Sequence, residues 1–331
     1  MKVVIDNAIP YIKGILEPYA EVLYREGIAF RREDVADADL LIIRTRTRCN
    51  ASLLDGSSVK MIATATIGFD HIDLEYCQKH GIEVITAQGC NAAGVLQWVA
   101  AALALLSRKD GWTPPQRTLG IVGVGHVGRL VEQYARAWGF NVLRCDPPRK
   151  EREGGDFIPL EELLSRSDIV TLHTPLDRTT HHLINNHTMA LMRDDAVLIN
   201  ASRGEVVSTQ ALLNAPQRLL IDVWEHEPEI NRDLLAKAIV TTPHIAGYSS
   251  QGKANATAMV VRAAAKRFSL PLTDWYPADV NIAERQEIDW QTMCLTIQSH
   301  CDLDAESQRL KAAPGSFESI RNGYRYREEY F

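Results

Sequence analysis

The sequence predicts an α/β protein of two doubly wound parallel-sheet domains, one of them inserted in the other. Three observations predict this organisation. Short runs rich in β-branched residues alternate with helical patterns, which is typical of parallel sheets. A break containing Gly111, Pro114 and Pro115 separates a first series of these units from a second. The length of 331 residues also suits about two domains.

Four strands are expected in the first domain. They lie at residues 3–5, 39–43, 60–64 and 83–85. A helix is expected over residues 12–26, ending at Gly27, since glycine accepts the positive φ of a helix stop. A long apolar helix is expected at 92–107, and another at 252–268 would return the chain to the first domain.

The inserted domain opens at Thr118 with the strand LGIVGVG, a helix to Trp138 and a strand at 141–146. Further strands are expected at residues 168–173, 196–200, 219–223 and 239–241. The first domain therefore comprises residues 1–92 and 246–280, the inserted domain residues 93–245, and a charged C-terminal segment with interspersed aromatics residues 281–331.

Composition sets aside several classes of protein. Lys and Arg number 36 against 42 Asp and Glu, a net charge of −6, whereas nucleic-acid binders are basic. The apolar stretch 98–106 is far shorter than the roughly 20 residues that span a bilayer, and no signal peptide is apparent. Six scattered cysteines without Cys-x-x-Cys spacing predict reduced thiols and a cytoplasmic protein. The histidines at 173, 181, 182 and 187 lack metal-pair spacing, so no metal site is expected.

A glycine-rich turn predicts the cofactor. Gly123, Gly125 and Gly128 form Gly-x-Gly-x-x-Gly between a strand and a helix, with His126 and Val127 in the same turn. Such glycines let the backbone approach a pyrophosphate at the helix N-terminus, as in the Rossmann fold. An acidic residue, Asp146, ends the next strand, where it would bind the ribose and favour NAD over NADP. The alternative is a structural turn without a ligand.

Three polar residues follow later strands of the inserted domain. Arg203 can fork onto a substrate carboxylate, and His244 can take a hydroxyl proton as hydride leaves. Glu227 can orient the imidazole and stabilise its protonated form. This set suits oxidation of a hydroxy acid. Taken singly, however, Arg203 could form a surface ion pair, Glu227 could be a loop charge and His244 could be a loop histidine.

An arginine cluster suggests a phosphorylated substrate. Arg44, Arg46 and Arg48 alternate with threonines after the strand at 39–43. If this segment is extended, alternate side chains point to the same side, so the three guanidinium groups lie together. Arg44 is the best candidate for an anion contact because it is nearest the strand end. The alternative is a solvated, charge-protected strand end.

Together these motifs resemble the D-isomer-specific 2-hydroxy acid dehydrogenase family. The glycine motif, Asn-Ala-Ser-Arg-Gly at 200–204, Asp-Val-x-x-x-Glu-Pro at 222–228 and Thr-Pro-His-Ile-x-Gly at 242–247 occur in the family's order. The resemblance implies that Arg203, Glu227 and His244 are catalytic. It also implies a Rossmann domain inserted in a flavodoxin-like substrate domain, followed by a short C-terminal dimerisation segment.

A narrower resemblance rests on residues 66–73, 89–92, 145–149, 172–176 and 244–248. It points to the branch of the family that oxidises 4-phospho-D-erythronate with NAD to (R)-3-hydroxy-2-oxo-4-phosphooxybutanoate, a step towards pyridoxal 5′-phosphate. The resemblance implies substrate contacts at Thr45, Thr66 and Tyr248. It implies further NAD contacts at Thr174, Ala201, Ser202, Arg203, Asp222 and Gly247.

Departures from that branch leave alternatives open. Phe69 stands where a smaller polar residue is usual, and the C-terminal dimerisation segment is expected to be shortened. A homodimer is still expected. The alternatives are another D-2-hydroxy acid dehydrogenase, of the phosphoglycerate or glycerate/hydroxypyruvate type, and a non-catalytic NAD-sensing binding protein.

Overall fold

A computed structural model describes residues 1–282 and 285–331. The described chain divides into two compact units, which we call unit 1 and unit 2. Unit 1 comprises Met1–Asn91 and Ser250–Ile282. Unit 2 comprises Ala92–Ser249 together with the described residues 285–331. Both are α/β units with a wholly parallel sheet, which confirms the predicted fold class.

The strands are mostly four or five residues long. They are β1 Lys2–Asp6, β2 Glu21–Arg25, β3 Leu40–Ile43, β4 Met61–Thr64, β5 Glu83–Thr86, β6 Thr118–Val122, β7 Asn141–Cys145, β8 Ile169–Leu172, β9 Val197–Asn200, β10 Arg218–Ile221 and β11 Val240–Thr241. Apart from β2, each of these strands overlaps a run expected from the sequence, and β6 ends three residues before the expected run does.

The α-helices vary more in length, and short 3₁₀ turns lie between some of them. They are α1 Arg32–Val35, α2 Ala51–Leu54, α3 Leu74–Lys79, α4 Ala92–Asp110, α5 His126–Trp138, α6 Pro147–Glu153, α7 Leu160–Arg166, α8 Asn186–Met189, α9 Thr209–Asn214, α10 Arg232–Lys237, α11 Ser250–Phe268, α12 Trp290–His300, α13 Leu303–Ala312 and α14 Phe317–Asn322. Among the described residues, no helix combines the length and hydropathy needed to cross a bilayer.

The sheet of unit 1 has five strands in the order β2-β1-β3-β4-β5, which is the flavodoxin-like order. Alternate residues face opposite sides of this sheet, as strand geometry requires. Val4 and Leu41 join an apolar cluster with residues of α1, α2 and α3. Val3 and Leu40 join a second cluster with residues of α11. Helices therefore cover both faces of the sheet.

The helix expected over residues 12–26 is wrong. The chain passes through turns up to residue 20 and then forms β2, parallel to β1. Pro18 lacks the N–H that a helix interior needs, and Gly14 has a φ of 84°. Ile12 and Leu16 are fully buried in the core of unit 1. Their spacing of four residues is typical of a helix, but here turns place both side chains in the core.

The sheet of unit 2 has six strands in the order β11-β10-β9-β8-β6-β7. Phe157 adds a single parallel bridge to Arg144, beyond β7. If this bridge is counted as the third strand, the order becomes that of doubly wound dinucleotide-binding sheets, with its reversal between β6 and β8. Ligands bind such sheets at the carboxyl ends of the strands flanking this reversal.

The C-terminal segment belongs to unit 2. Helix α12 packs on α4, and α13 packs on β11. Phe317 and Phe331 are 1% and 2% exposed and join the two apolar clusters of the unit. The expected separate domain at 281–331 is therefore corrected: residues 281 and 282 belong to unit 1, residues 285–331 to unit 2, and residues 283 and 284 lie outside the described part.

Candidate active site

The glycine motif lies at the carboxyl end of β6, at the reversal of the unit 2 sheet. Gly123 has a φ of 83°, and a Cβ there would lie 2.8 Å from the carbonyl carbon of His173, at the end of β8. A Cβ on Gly128 would lie 2.1 Å from the carbonyl oxygen of Gly123. Gly125 differs, because no heavy atom lies within 4 Å of the Cβ position there. Two glycines therefore permit close packing, and the third leaves open space.

The N-terminus of α5 follows directly from this turn. Its N-cap is Gly125, and no side chain caps the helix. His126 is exposed and Val127 is half-buried at the first positions. The first N–H groups and the positive end of the helix dipole are therefore available to an anion.

Asp146 lies beside the same turn, at the end of β7. One carboxylate oxygen accepts the N–H of Val124 at 2.8 Å, and the other accepts the N–H of Arg149 at 3.0 Å. The side chain thus caps α6 and is fixed against the glycine turn. Each oxygen keeps a lone pair with which to accept a ribose hydroxyl.

His173 and Thr174 follow β8 on the other side of the reversal. The Nε2 atom of His173 lies 3.0 Å from the hydroxyl of Thr171, and burial lowers the pKa of His173 to about 3. The buried hydroxyl of Thr174 has no hydrogen-bond partner among the described residues. An unsatisfied buried hydroxyl costs free energy, so this position suits a ligand that bonds to it.

Arg203, Glu227 and His244 come from three neighbouring strands. They follow β9, β10 and β11, which are adjacent and parallel in the sheet, so their carboxyl ends meet at one edge. Arg203 is half-buried, and its Nη1 donates to the carbonyl of Ser202 at 2.7 Å. Asn200 fixes this turn by accepting from the N–H and hydroxyl of Ser202.

His244 and Glu227 form a direct pair. The Nδ1 atom of His244 lies 2.7 Å from Oε2 of Glu227, and the N–H of Trp224 donates to Oε1 at 2.9 Å. Burial alone would raise the pKa of Glu227, but the facing His244 and these hydrogen bonds outweigh it and lower that pKa. The ionised carboxylate only accepts hydrogen bonds. Nδ1 of His244 therefore carries the proton, and Nε2 has no partner among the described residues.

Asp222 holds the loop that carries His244. Its carboxylate accepts the hydroxyl of Thr242 at 2.5 Å and the N–H groups of Ile245 and Ala246 at 2.8 and 2.9 Å. Burial raises the pKa of Asp222 despite these bonds. His244 itself has a φ of 57°, a left-handed conformation that a non-glycine residue keeps only when its surroundings impose it.

Arg327 binds the backbone carbonyl groups of the same loop. The buried guanidinium donates to the carbonyls of Ile245 and Gly94 at 3.1 and 2.6 Å, and also to that of Ala246. The backbone N–H groups of the loop are thus bound by a carboxylate, and its carbonyls by a cation. The sequence motifs did not identify Arg327 as part of this arrangement.

Tyr248 and Gly247 complete the loop, and both are half-buried. The N–H of Tyr248 donates to the carbonyl of Ile245 at 2.8 Å. Its hydroxyl accepts a hydrogen bond from Nε of Arg321 at 3.0 Å. Arg321, on α14, is a second residue that sequence reasoning missed. The aromatic and basic residues of the C-terminal segment indicated that it docks, but not where.

The arginine cluster in unit 1 is not extended, which corrects the expected alternation. The N–H of Thr47 donates to the carbonyl of Arg44, so the chain turns at residues 45–47. The guanidinium of Arg44 is bound by the buried carboxylate of Asp6, with Nε 3.0 Å from Oδ2. The positive charge of Arg44 is therefore partly neutralised by Asp6. Because the segment turns, its alternate side chains do not have to point to one side.

A cavity of about 440 Å³ in unit 1 is lined by Thr45 and Arg48. Cys49, Asn50, Asp70, His71, Ile72 and Asp73 line it as well. Burial lowers the pKa of His71. The side chains of Thr45 and Arg48 have no hydrogen-bond partner among the described residues. Thr66 lies nearby in sequence, but its hydroxyl donates to the carbonyl of Gly68 at 3.0 Å.

Among the described residues, no group of three or more His, Cys, Asp or Glu side chains could hold a metal ion. His181 and His182 stack with ring centres 4.0 Å apart. His182 also lies 2.7 Å from Glu225, whose carboxylate accepts the N–H of Thr209. These histidines therefore take part in loop packing.

Comparison with known proteins agrees with this geometry. Residues 97–246 match the model of the D-isomer specific 2-hydroxyacid dehydrogenase NAD-binding domain. The chain is 45% identical to an erythronate-4-phosphate dehydrogenase of Bacteroides thetaiotaomicron, over 99% of this chain and 97% of that protein. This chain belongs to the D-isomer-specific 2-hydroxyacid dehydrogenase family. The dehydrogenase is also 37% identical to an erythronate-4-phosphate dehydrogenase of Pectobacterium carotovorum, over the whole chain and 92% of that protein.

A solved structure shares the dehydrogenase fold. A D-lactate dehydrogenase of Aquifex aeolicus, complexed with NAD and lactic acid, matches with a TM-score of 0.65 and 25% identity. The match covers 85% of this chain and all of that one. These findings confirm that the protein is an NAD-dependent 2-hydroxyacid dehydrogenase. Its own residues fit the cofactor, because Thr174 presents an unpartnered buried hydroxyl and Gly125 leaves open space at an uncapped helix.

Proposed function

We propose that this dehydrogenase oxidises 4-phospho-D-erythronate at C2 to (R)-3-hydroxy-2-oxo-4-phosphooxybutanoate, in the formation of pyridoxal 5′-phosphate. The hydrogen-bonded pair of His244 and Glu227, at the strand edge that also carries Arg203, is the observation that carries the chemistry. The choice of substrate is supported by the erythronate-4-phosphate dehydrogenases that this chain resembles over nearly its whole length.

The proposed NAD site lies at the reversal of the unit 2 sheet. Bound NAD supplies an acceptor for the hydride that leaves C2. The uncapped N-terminus of α5 would bind the pyrophosphate, and Asp146 would accept the ribose hydroxyls. The residues proposed to hold NAD are Gly123, Gly125, His126, Val127, Gly128, Asp146, Thr174, Ala201, Ser202, Arg203, Asp222 and Gly247.

His244 acts as the general base in this proposal. Its Nδ1–H is held by Glu227, so its unprotonated Nε2 can accept the proton of the C2 hydroxyl. The imidazolium that forms is stabilised by the adjacent carboxylate. Arg203 binds the substrate carboxylate and polarises the forming carbonyl.

Residues of unit 1 are proposed to bind the substrate as well. Thr45 and Arg48 line one cavity and have no other partner among the described residues. Arg44 keeps Nη1 for an anion while Asp6 orients the rest of its guanidinium. Thr66 would have to release the carbonyl of Gly68 before its hydroxyl could donate to substrate. Tyr248, in unit 2, is the remaining proposed contact.

Initial rates of NADH formation test the proposal. The purified enzyme is assayed with 4-phospho-D-erythronate, D-3-phosphoglycerate and D-glycerate, with a 2-oxo acid included in a parallel run to reoxidise bound NADH. We expect turnover selective for the four-carbon phosphate. Preference for either three-carbon acid would favour the related dehydrogenases. NAD binding without turnover of any of the three would favour a sensing protein.

We further infer that the enzyme is a homodimer in the cytoplasm. The resemblance to the family supports the dimer, and the six free cysteines are compatible with a reducing compartment. Sedimentation equilibrium would test the assembly, because a concentration-independent mass of one chain contradicts a dimer. Fractionation of the source cells would test the compartment.

A further inference from the structure

Helix α14 is fixed in unit 2 by Phe317. This side chain is 1% exposed and packs in an apolar cluster with Leu310 and residues of the sheet. Residues four apart lie on the same face of a helix. Arg321 therefore shares the docked face with Phe317 and points into the unit, which explains why this residue is half-buried.

One nitrogen of Arg321 is engaged and two are not. Nε donates to the hydroxyl of Tyr248 at 3.0 Å, and the guanidinium carbon lies 5.7 Å from the centre of that ring. Nη1 and Nη2 have no hydrogen-bond acceptor among the described residues. The N–H donors of a guanidinium lie in one plane. Tyr248 therefore orients the group through Nε and leaves Nη1 and Nη2 available to an acceptor.

The neighbouring carboxylate of Glu227 makes no hydrogen bond to this guanidinium group. Glu227 lies close enough to Arg321 for each to affect the pKa of the other. However, both carboxylate oxygens of Glu227 already accept hydrogen bonds, one from His244 and one from the N–H of Trp224. Burial would lower the pKa of Arg321, but Tyr248 and Glu227 outweigh it, so the group stays charged.

The geometry points to Arg321 as a substrate-binding residue whose free Nη groups bind an anionic oxygen group of the hydroxy acid. This inference rests on the proposed function, in which the substrate carries both a carboxylate and a phosphate. Within unit 2, Arg203 supplies one guanidinium for a substrate that carries two anionic groups. Arg321 supplies the second cation, and the C-terminal segment becomes part of the substrate site.

Steady-state kinetics test this role. Arg321→Gln removes the charge, Arg321→Lys keeps the charge without the fork, and Arg325→Gln removes an exposed charge four residues away as a matched control. We expect Arg321→Gln to raise the KM for 4-phospho-D-erythronate about ten-fold to hundred-fold, as loss of a charge-assisted hydrogen bond implies. Arg321→Lys should fall between this variant and the wild type, and Arg325→Gln should match the wild type.

Equilibrium binding separates this inference from the proposed function. Inorganic phosphate and oxalate are titrated into the enzyme–NADH complex, and binding is followed by NADH fluorescence. Weaker binding of phosphate alone in Arg321→Gln assigns the residue to the phosphate group, and weaker binding of oxalate alone assigns it to the carboxylate. If the wild type fails to oxidise 4-phospho-D-erythronate, the proposed function fails while these titrations still decide the role of Arg321.

Several outcomes would overturn the inference. One is that Arg321→Gln binds both anions as the wild type does and keeps its KM. Another is that the wild type binds neither anion. A third is that Tyr248→Phe reproduces the whole effect of Arg321→Gln on anion binding, which would make Arg321 only a support for the tyrosine. Should Arg321→Gln fail to fold, Arg321→Lys decides, because an unchanged KM and unchanged anion binding in that variant contradict a forked contact.

Discussion

At the scale of single residues, His244 is positioned for one role. Its Nδ1 is bound to Glu227, its backbone N–H donates to the carbonyl of Asp222 at 2.7 Å, and its Nε2 is unengaged among the described residues. His244→Ala should lower kcat about 10²–10⁴-fold, the usual contribution of a general base. NAD affinity, followed by protein fluorescence, should change little. His187→Ala alters an exposed histidine of unit 2 and serves as the control. Full turnover in His244→Ala would exclude it as the base.

Glu227 should control the acidic limb of the pH–rate profile. Its lowered pKa keeps the carboxylate ionised beside His244. Glu227→Gln removes this charge, which favours a bound proton on the pair, so the acidic limb of kcat/KM should move to lower pH. The same lowered pKa means that the carboxylate stabilises the fold above the usual range of a glutamate, and that this contribution is lost as the pH falls through the lowered value. Glu229→Gln changes an exposed neighbour and should leave the limb in place.

Arg48 and Arg44 should respond differently to the same substitution. Arg48→Gln is expected to raise the KM for 4-phospho-D-erythronate without affecting stability, because Arg48 has no other partner among the described residues. Arg44→Gln also leaves the buried carboxylate of Asp6 without its ion pair, which is destabilising. Urea unfolding and initial rates on both variants measure the contrast. Equal loss of stability in the two would contradict it.

At the scale of elements, we expect different glycines of the β6–α5 turn to serve packing and cofactor binding. A Cβ on Gly128 meets the carbonyl oxygen of Gly123 at 2.1 Å, whereas a Cβ on Gly125 meets nothing within 4 Å. Gly128→Ala should therefore cost about 1–3 kcal/mol of stability, as overpacking does. Gly125→Ala should leave stability nearly unchanged and weaken NAD binding. Thermal unfolding and NAD titration measure the two effects, and the opposite pattern would refute this division.

Sequence patterns predicted most strands and the three long helices α4, α5 and α11, but they misjudged residues 12–26 and left most short helices unassigned. Most of the parallel strands are evident because they are short apolar runs, and β1, β3, β4, β8 and β9 are almost wholly buried. Residues 12–26 carry a false helical signal because Ile12 and Leu16 have helical spacing, yet Gly14 and Pro18 hold this part of the chain in turns. The edge strand β2 has no fully buried residue and only one β-branched residue, Val22, so little besides its pairing with β1 identifies it.

The motifs likewise indicate the proposed catalytic side chains but not the residues that hold them in place. Glu227 and His244 stand in recognisable patterns, and the structure brings them within 2.7 Å. Arg321 and Arg327 lie over seventy residues further along the chain. Their partners are the hydroxyl of Tyr248 and backbone carbonyls, and contacts of that kind leave no local signature in sequence.

At the scale of the whole molecule, the C-terminal segment belongs to the core of unit 2. Phe331 is 2% exposed, with its ring centre 5.3 Å from that of Tyr134 and 6.4 Å from that of Trp138. Phe331→Ala should lower the free energy of unfolding by about 3–5 kcal/mol, as other large core truncations do. Leu295→Ala removes a side chain that is 78% exposed and should cost less than about 0.5 kcal/mol. Equal effects in denaturant unfolding would mean that the C-terminus is not docked as described.

The measurement that tests the central claim most directly is isotope transfer from C2 of the substrate. The wild-type enzyme is given NAD and 4-phospho-D-erythronate deuterated at C2, and the reduced cofactor is examined by mass spectrometry. If the enzyme oxidises this substrate at C2, the deuterium appears in the reduced cofactor, and His244→Ala forms it far more slowly. Reduced cofactor without deuterium, or none at all from an enzyme that binds NAD, would contradict the account.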